Sequence, residues 1–146
     1  MADFRFQGQS ALTLDAKGRV TVPARQRDLL VAESGPQLTL TKSPAGCLFV
    51  FPRPVWHGFR DKLVALPMSA DGWKRIFLGS AMDVEIDGSS RVLISPELRA
   101  AAHLTKDVVL LGMGSRLELW NAEAYAEQEA KVLQSEMPDA LKDFTG

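Results

Sequence analysis

Cysteine is almost missing from this chain: Cys47 is the only one in 146 residues. A lone thiol excludes an intramolecular disulfide and any cysteine-based zinc site within one chain. Its neighbours Leu48, Phe49 and Val50 point to a buried, inert thiol rather than a nucleophile. Histidine is scarce as well. His57 and His103 stand far apart, without metal-ligand spacing or an accompanying nucleophile motif, and read as solvated or locally hydrogen-bonded side chains. There is no glycine-rich phosphate loop and no Ser or Cys motif with a plausible base, so the expectation is a non-enzyme with no cofactor and no metal. Asp83, Glu85 and Asp87 do not form an obvious metal cluster, because alternation along a strand sends neighbours to opposite faces. Long apolar runs are lacking too. No stretch approaches membrane-spanning length, and Met1–Ser10 carries Asp3 and Arg5 where a signal peptide would be apolar, so a cytoplasmic location without membrane contact is expected.

What is present suffices for a core. At 46% hydrophobic residues, a chain of this length can bury roughly 70% of the surface it exposes unfolded. The net charge of −1 argues weakly against nucleic acid as a partner. That average hides a split: residues 1–80 hold 11 Lys/Arg against 6 Asp/Glu, whereas residues 81–146 hold 6 against 12. One basic working half is the reading this supports; ordinary scatter of surface charge is the alternative.

The chain contains itself twice. ALTLDAKGRVTVPARQRDLL at 11–30 superposes on DVEIDGSSRVLISPELRAAA at 83–102 with an offset of 72. Asp15 falls on Asp87, Arg19 on Arg91, Val20 on Val92 and Val22 on Ile94. Farther on, LFVFPRPVW at 48–56 lies over LELWNAEAY at 117–125, the offset shortened to 69. A period near 70 residues is too long for a stacked solenoid and suits a duplicated small domain whose halves pair about a pseudo-twofold axis. The predicted units are 1–68, a connecting amphipathic helix at 69–80, and 81–146.

Within each copy the pattern changes period in the same order. Leu12–Leu14, Val20–Val22, Val84–Ile86 and Val92–Ile94 alternate, or nearly so, as half-buried strands do. Asp15–Gly18 and Asp87–Ser90 between them can close hairpins, with Gly18 and Gly88 free to take positive φ and the aspartates bonding nearby N–H groups. Short helices follow at Ala24–Ala32 and Glu97–Ala102, the second with a Ser95–Pro96 start. Strands are predicted at 38–41, 47–51, 108–111 and 117–120. Each copy then ends in a helix, near Val55–Leu66 and after a capping Asn121. The aromatics Phe49, Phe51, Trp56, Trp120 and Tyr125 recur at matching positions and are assigned to packing. Residues 134–146 either dangle or dock on a neighbouring subunit.

The motif D-x-x-G-R-V-x-V-P-x-R at Asp15–Arg25, with its echo D-x-x-x-R-V-x-I-x-P at Asp87–Pro96, resembles the MraZ family. The likeness runs from Phe6 and Gly8 to Leu119 and Trp120. It implies an α+β, mainly β fold of two tandem SpoVT/AbrB-type swapped-hairpin domains. It also implies a ring-shaped homo-oligomer, and binding of double-stranded DNA at short direct repeats upstream of the division and cell-wall gene cluster, usually repressing it. The expected location is then cytoplasmic and associated with the nucleoid. The family signature falls on Asp15 and Arg19 and on Asp87 and Arg91. Ser90 departs from the glycine many members carry there, so the second turn is expected to be looser.

Arginine's planar donor fork can read a guanine edge or clamp a phosphate, which makes Arg19 the leading DNA contact. Lys17 suits phosphate positioning, and Arg25 and Arg27 sit at the start of the next helix. Arg91 completes the candidate set, while Asp15, Gly18 and Asp87 are assigned to shaping the turns. The alternative for both Arg19 and Arg91 is a purely structural ion pair to the aspartate four residues earlier. The acidic surroundings of the second turn also allow it a place at a subunit interface. A few cations cannot bind DNA tightly at physiological salt, so several subunits must act together. Two other function classes compete with the regulator: an antitoxin-like protein-interaction module of the same fold, and an enzyme.

Overall fold

The computed structural model describes residues 6–145. The first copy runs β1 (Gln9–Thr13), β2 (Arg19–Thr21), α1 (Ala24–Ser34), β3 (Gln37–Lys42), β4 (Leu48–Pro52) and α2 (Arg53–Val64). A 3-10 turn (Met68–Ala70) and α3 (Asp71–Gly79) lead into the second: β5 (Met82–Glu85), β6 (Arg91–Leu93), α4 (Pro96–Ala101), β7 (Asp107–Gly112), β8 (Leu117–Asn121) and α5 (Ala122–Gln134). The last helix is α6 (Asp139–Thr145). Local chemistry sets the ends of these elements. The Ser95 hydroxyl accepts from the Leu98 N–H at 3.3 Å and Asn121 Oδ1 accepts from the Ala124 N–H at 2.9 Å, two side-chain N-caps. Gly35, at φ 72°, ends α1 and returns its N–H to the Val31 carbonyl.

The two Asp-started turns form as expected, but the strands on either side of each turn do not pair with one another. β1 pairs antiparallel with β7, β5 with β3, and β2 with β6, so every one of these ladders joins one copy to the other. A six-stranded sheet results in the order β1-β7-β8-β4-β3-β5, with the pseudo-twofold between β8 and β4, beside a two-stranded ribbon of β2 and β6. A self-closed hairpin and a crossing turn use the same local hydrogen bonds. What differs is where the flanking donors go: Leu14 to the Lys106 carbonyl, Ile86 to that of Pro36, Val22 to that of Ser90 and Ile94 to that of Gly18, each at 2.8 Å.

The main core lies between the inner face of the large sheet and the ribbon, closed at the sides by α1 and α4. Leu30, Leu38, Ile94, Leu98, Val108 and Leu119 are wholly buried there. Each contributes about 1.5–3 kcal/mol of transfer free energy, an upper range because the unfolded chain is already partly compact. Both faces of the sheet are covered. On the outer face α2 and α3 bring Phe59 and Phe77 against Phe49, Phe51 and Trp56, with Phe51 and Phe59 stacked at 5.0 Å and Phe59 edge-on to Phe77 at 5.3 Å. Trp120 meets Tyr125 edge-on at 5.4 Å on the other half. These aromatics are packing residues, as their matched positions predict. No helix among the described residues is long and apolar enough to cross a membrane.

Candidate nucleic-acid interface

In each turn the aspartate bonds three residues. Asp15 Oδ1 accepts from the backbone N–H of Lys17 (2.9 Å) and of Arg19 (2.8 Å), while its own N–H and carbonyl bond Arg19 and Gly18. Asp87 does the same with Ser89, Arg91 and Ser90. The Arg19 N–H holds the Asp15 carboxyl below its ordinary value, and the Arg91 N–H does so for Asp87; partial desolvation opposes both shifts. The left-handed residue is the third after each aspartate. In the first turn it is Gly18 (φ 84°); in the second it is Ser90 (φ 65°), not Gly88. The second turn is therefore as tightly bonded as the first despite Ser90, because its hydrogen bonds compensate the cost of an L side chain in that region.

The ribbon that follows the turns carries the arginines. Register pairs Arg19 with Leu93, Val20 with Val92 and Thr21 with Arg91. Val20 and Val92 are buried beneath, so alternation sends Arg19, Thr21, Arg91 and Leu93 to the outward face, where Leu93 is 55% exposed. The two arginines lie diagonally across it. Arg19 Nε donates to Asp15 Oδ2 at 2.9 Å; Arg91 Nε is ion-paired to Asp87 Oδ2 at 3.5 Å and is buried with no hydrogen-bond partner among the described residues. The ion pair to the aspartate thus exists at both positions and is closer at Arg19. It engages only the Nε edge of that guanidinium, and the terminal amino groups make no hydrogen bond among the described residues.

Because the ribbon is antiparallel, each turn lies against the helix of the other copy. Arg27 in α1 reaches the second turn, its NH1 donating to Ser90 Oγ at 2.7 Å while Nε and NH2 bond Asp28. Arg99 in α4 reaches the first: its guanidinium lies so close over Gly18 that a Cβ there would meet Cζ at 2.7 Å, and its Nε donates to the Ile94 carbonyl at 3.0 Å. Arg25 is exposed on the first turn of α1 and Lys17 is exposed at the first Asp turn, neither with an ion pair among the described residues. The structure therefore brings Lys17, Arg19 and Arg99 to one end of the ribbon and Arg25, Arg27 and Arg91 to the other. Arg99 and Leu93 were missing from the sequence-derived set. The repeat held the signal for Arg99, since the offset that maps Arg19 onto Arg91 also maps Arg27 onto Arg99.

Other chemistry is thin. Burial pushes the Cys47 thiol up to about 12, keeping it protonated and unreactive. Among the described residues no three His, Cys, Asp or Glu side chains are grouped to hold a metal ion.

A family model described as "MraZ protein, putative antitoxin-like" matches residues 5–75 and again 77–144, one match for each copy. The chain belongs to the MraZ family of transcriptional regulators. Curated relatives agree over full length. "Transcriptional regulator MraZ" of Leptothrix cholodnii is 72% identical over 145 residues, 99% of both chains, and that of Methylibium petroleiphilum is 66% identical over the same span. The Paraburkholderia phytofirmans protein of that name is 61% identical over 96% of this chain and 99% of its own. In this MraZ chain the two signature pairs, Asp15 with Arg19 and Asp87 with Arg91, occupy equivalent places about the pseudo-twofold and face outward together.

Proposed function

We propose that this chain is a sequence-specific DNA-binding regulator that reads the major groove with the outward face of the β2–β6 ribbon. The observation that carries the reading is the pair of diagonal arginines on a two-stranded ribbon, one of them held at Nε by an aspartate with its terminal amino groups unbonded among the described residues. A two-stranded ribbon fits the major groove, and an arginine fork matches guanine O6 and N7. Arg19 is the leading base contact and Arg91 its counterpart; the Leu93 and Thr21 side chains suit thymine methyl groups. Lys17 and Arg25 position phosphates from the two ends, and Arg27 and Arg99 buttress the turns while adding charge behind them. Asp15, Gly18 and Asp87 shape the turns and do not touch DNA.

The finer reading is carried over from the family resemblance as part of the proposal. The DNA is a set of short direct repeats upstream of the division and cell-wall gene cluster, including the regulator's own operon, and the effect is repression at the nucleoid. The duplicated units 1–68 and 81–146, linked through 69–80, act as a covalent dimer. A ring-shaped homo-oligomer supplies the avidity that one ribbon lacks. Val64, Met68 and Trp73 beside α2 and α3, and Leu133 and Phe144 on the C-terminal helices, are exposed apolar side chains suited to subunit contacts.

The test is a fluorescence-anisotropy titration of wild type and Arg19→Ala against the DNA upstream of its own operon and a scrambled duplex, at two salt concentrations. Salt-sensitive preference for the native duplex is expected, falling by at least about tenfold in the variant while fold and assembly persist. Equal, weak binding to both duplexes would sink the proposal. The family description favours one other reading, an antitoxin-like module that neutralises a protein partner. Recovery of a stoichiometric toxin-like protein together with sequence-blind DNA binding would select it.

A further inference from the structure

A cleft of ≈ 370 Å³ opens where the two copies meet, between α3, the end of β3, the start of β5 and the beginning of α4. Its walls are of two kinds. Ile76, Met82 and Leu98 supply apolar surface, and Lys42 and Arg75 supply two cations that have no ion-pair or hydrogen-bond partner for their side-chain nitrogens among the described residues. Glu97 stands exposed on the same lining, also without an ion-pair or side-chain hydrogen-bond partner among the described residues. Lys42 is not repeated on the other side of the molecule. Across the pseudo-twofold the residue in the place of Lys42 is Gly112, whose Cα faces the backbone of Phe6 and Gln7 so closely that no side chain could fit.

The volume is in the range of small-molecule sites, and two cations beside an apolar floor select an anionic head on an apolar body. We propose that this cleft binds a small amphipathic organic anion and that its occupancy is felt at the DNA-reading ribbon. The route is short. Ser95, Glu97 and Leu98 line the cleft, and the next residue, Arg99, lies over Gly18 in the first turn and bonds the Ile94 carbonyl that follows β6. A ligand that shifts α4 moves the guanidinium supporting the turn that positions Lys17 and Arg19. This coupling rests on the ribbon being the DNA surface; the binding itself does not.

The experiment uses the full chain, with phenyl phosphate and benzoate as probes and benzyl alcohol as the neutral control. Isothermal titration calorimetry reads binding, and hydrogen exchange followed by mass spectrometry reads its location, both without DNA. Saturable binding of the anions is expected, at least about tenfold tighter than the alcohol, with slowed exchange at residues 80–82 and 95–98 and altered exchange at 16–19. The Lys42→Glu/Arg75→Glu double variant should lose it, and Glu97→Gln should tighten it by removing a repelling carboxylate. No anion binding, no preference over the alcohol, unchanged affinity in the double variant, or weaker binding in Glu97→Gln would each overturn the site. Protection of the cleft with no change at 16–19 would overturn the coupling. All of these outcomes are independent of whether the anisotropy titration supports the ribbon as the DNA surface.

Discussion

Asp15 and Asp87 each hold a turn through four backbone groups and face an arginine four residues on. Both carboxyls have folded-state pKa values below the ordinary 3.8, the N–H of Arg19 or Arg91 being the largest cause. A depressed carboxyl stabilises the fold above its unfolded pKa, and the contribution is lost as pH falls through the folded value. Thermal melts are therefore expected to be level near neutrality and to fall below about pH 4. In Asp15→Asn/Asp87→Asn the neutral plateau should drop and the acid slope become shallower; an unchanged slope would contradict the assignment. Ser90 tests the second turn. Ser90→Gly and Ser90→Ala both lose the bond from Arg27, but only glycine adopts φ 65° without strain. Ser90→Gly should exceed Ser90→Ala in stability by about 1 kcal/mol in denaturant titrations. The motif placed Lys17 in an exposed turn, as observed, whereas Arg19 and Arg91 open the strands of the ribbon and are half-buried. The repeat offset puts Gly88 in the place of Ala16 and Ser90 in that of Gly18, yet glycine is the better local candidate for positive φ, and the observed backbone decides for Ser90.

At the scale of elements, the helices differ in how they begin. α1 starts after Pro23 with no side-chain cap, and neither α2 nor α3 has one. α5 is anchored by Asn121, whose Oδ1 caps Ala124 while Nδ2 donates to the His103 carbonyl at 2.7 Å. Asn121→Ala should cost about 1 kcal/mol in a denaturant titration, and Asn121→Asp less than Asn121→Ala, because aspartate keeps the capping oxygen and loses only the bond to His103. Asn121 was readable as a cap from the sequence, as were Ser95 and nearly every strand and helix, since capping and periodicity are local. Strand partners were not readable from the residues. Turn chemistry is the same whether a strand folds back on its neighbour or crosses to another copy, and the crossing came into view only through the family resemblance.

The whole molecule is a duplicated chain whose copies complete each other, with exposed apolar side chains remaining at the α2–α3 end and along the C-terminal helices. If these faces join subunits, Leu133→Glu/Phe144→Glu should reduce the assembly in light scattering and weaken DNA binding with a shallower salt dependence, because fewer ribbons act per complex. Retained assembly with unchanged binding would place the subunit contacts elsewhere. Sequence by itself determined the duplication, the element order, the capping residues and the motif arginines, all of which depend on spacing and on neighbours a few residues away. Tertiary structure alone decided that Arg27 and Arg99 support the turns of the opposite copy, that Leu93 faces outward between the arginines, and that the basic residues of the first half are shared between both ends of the ribbon. Those facts depend on antiparallel pairing between segments about 70 residues apart, and contacts at that separation are set by how the two copies bury their apolar faces together.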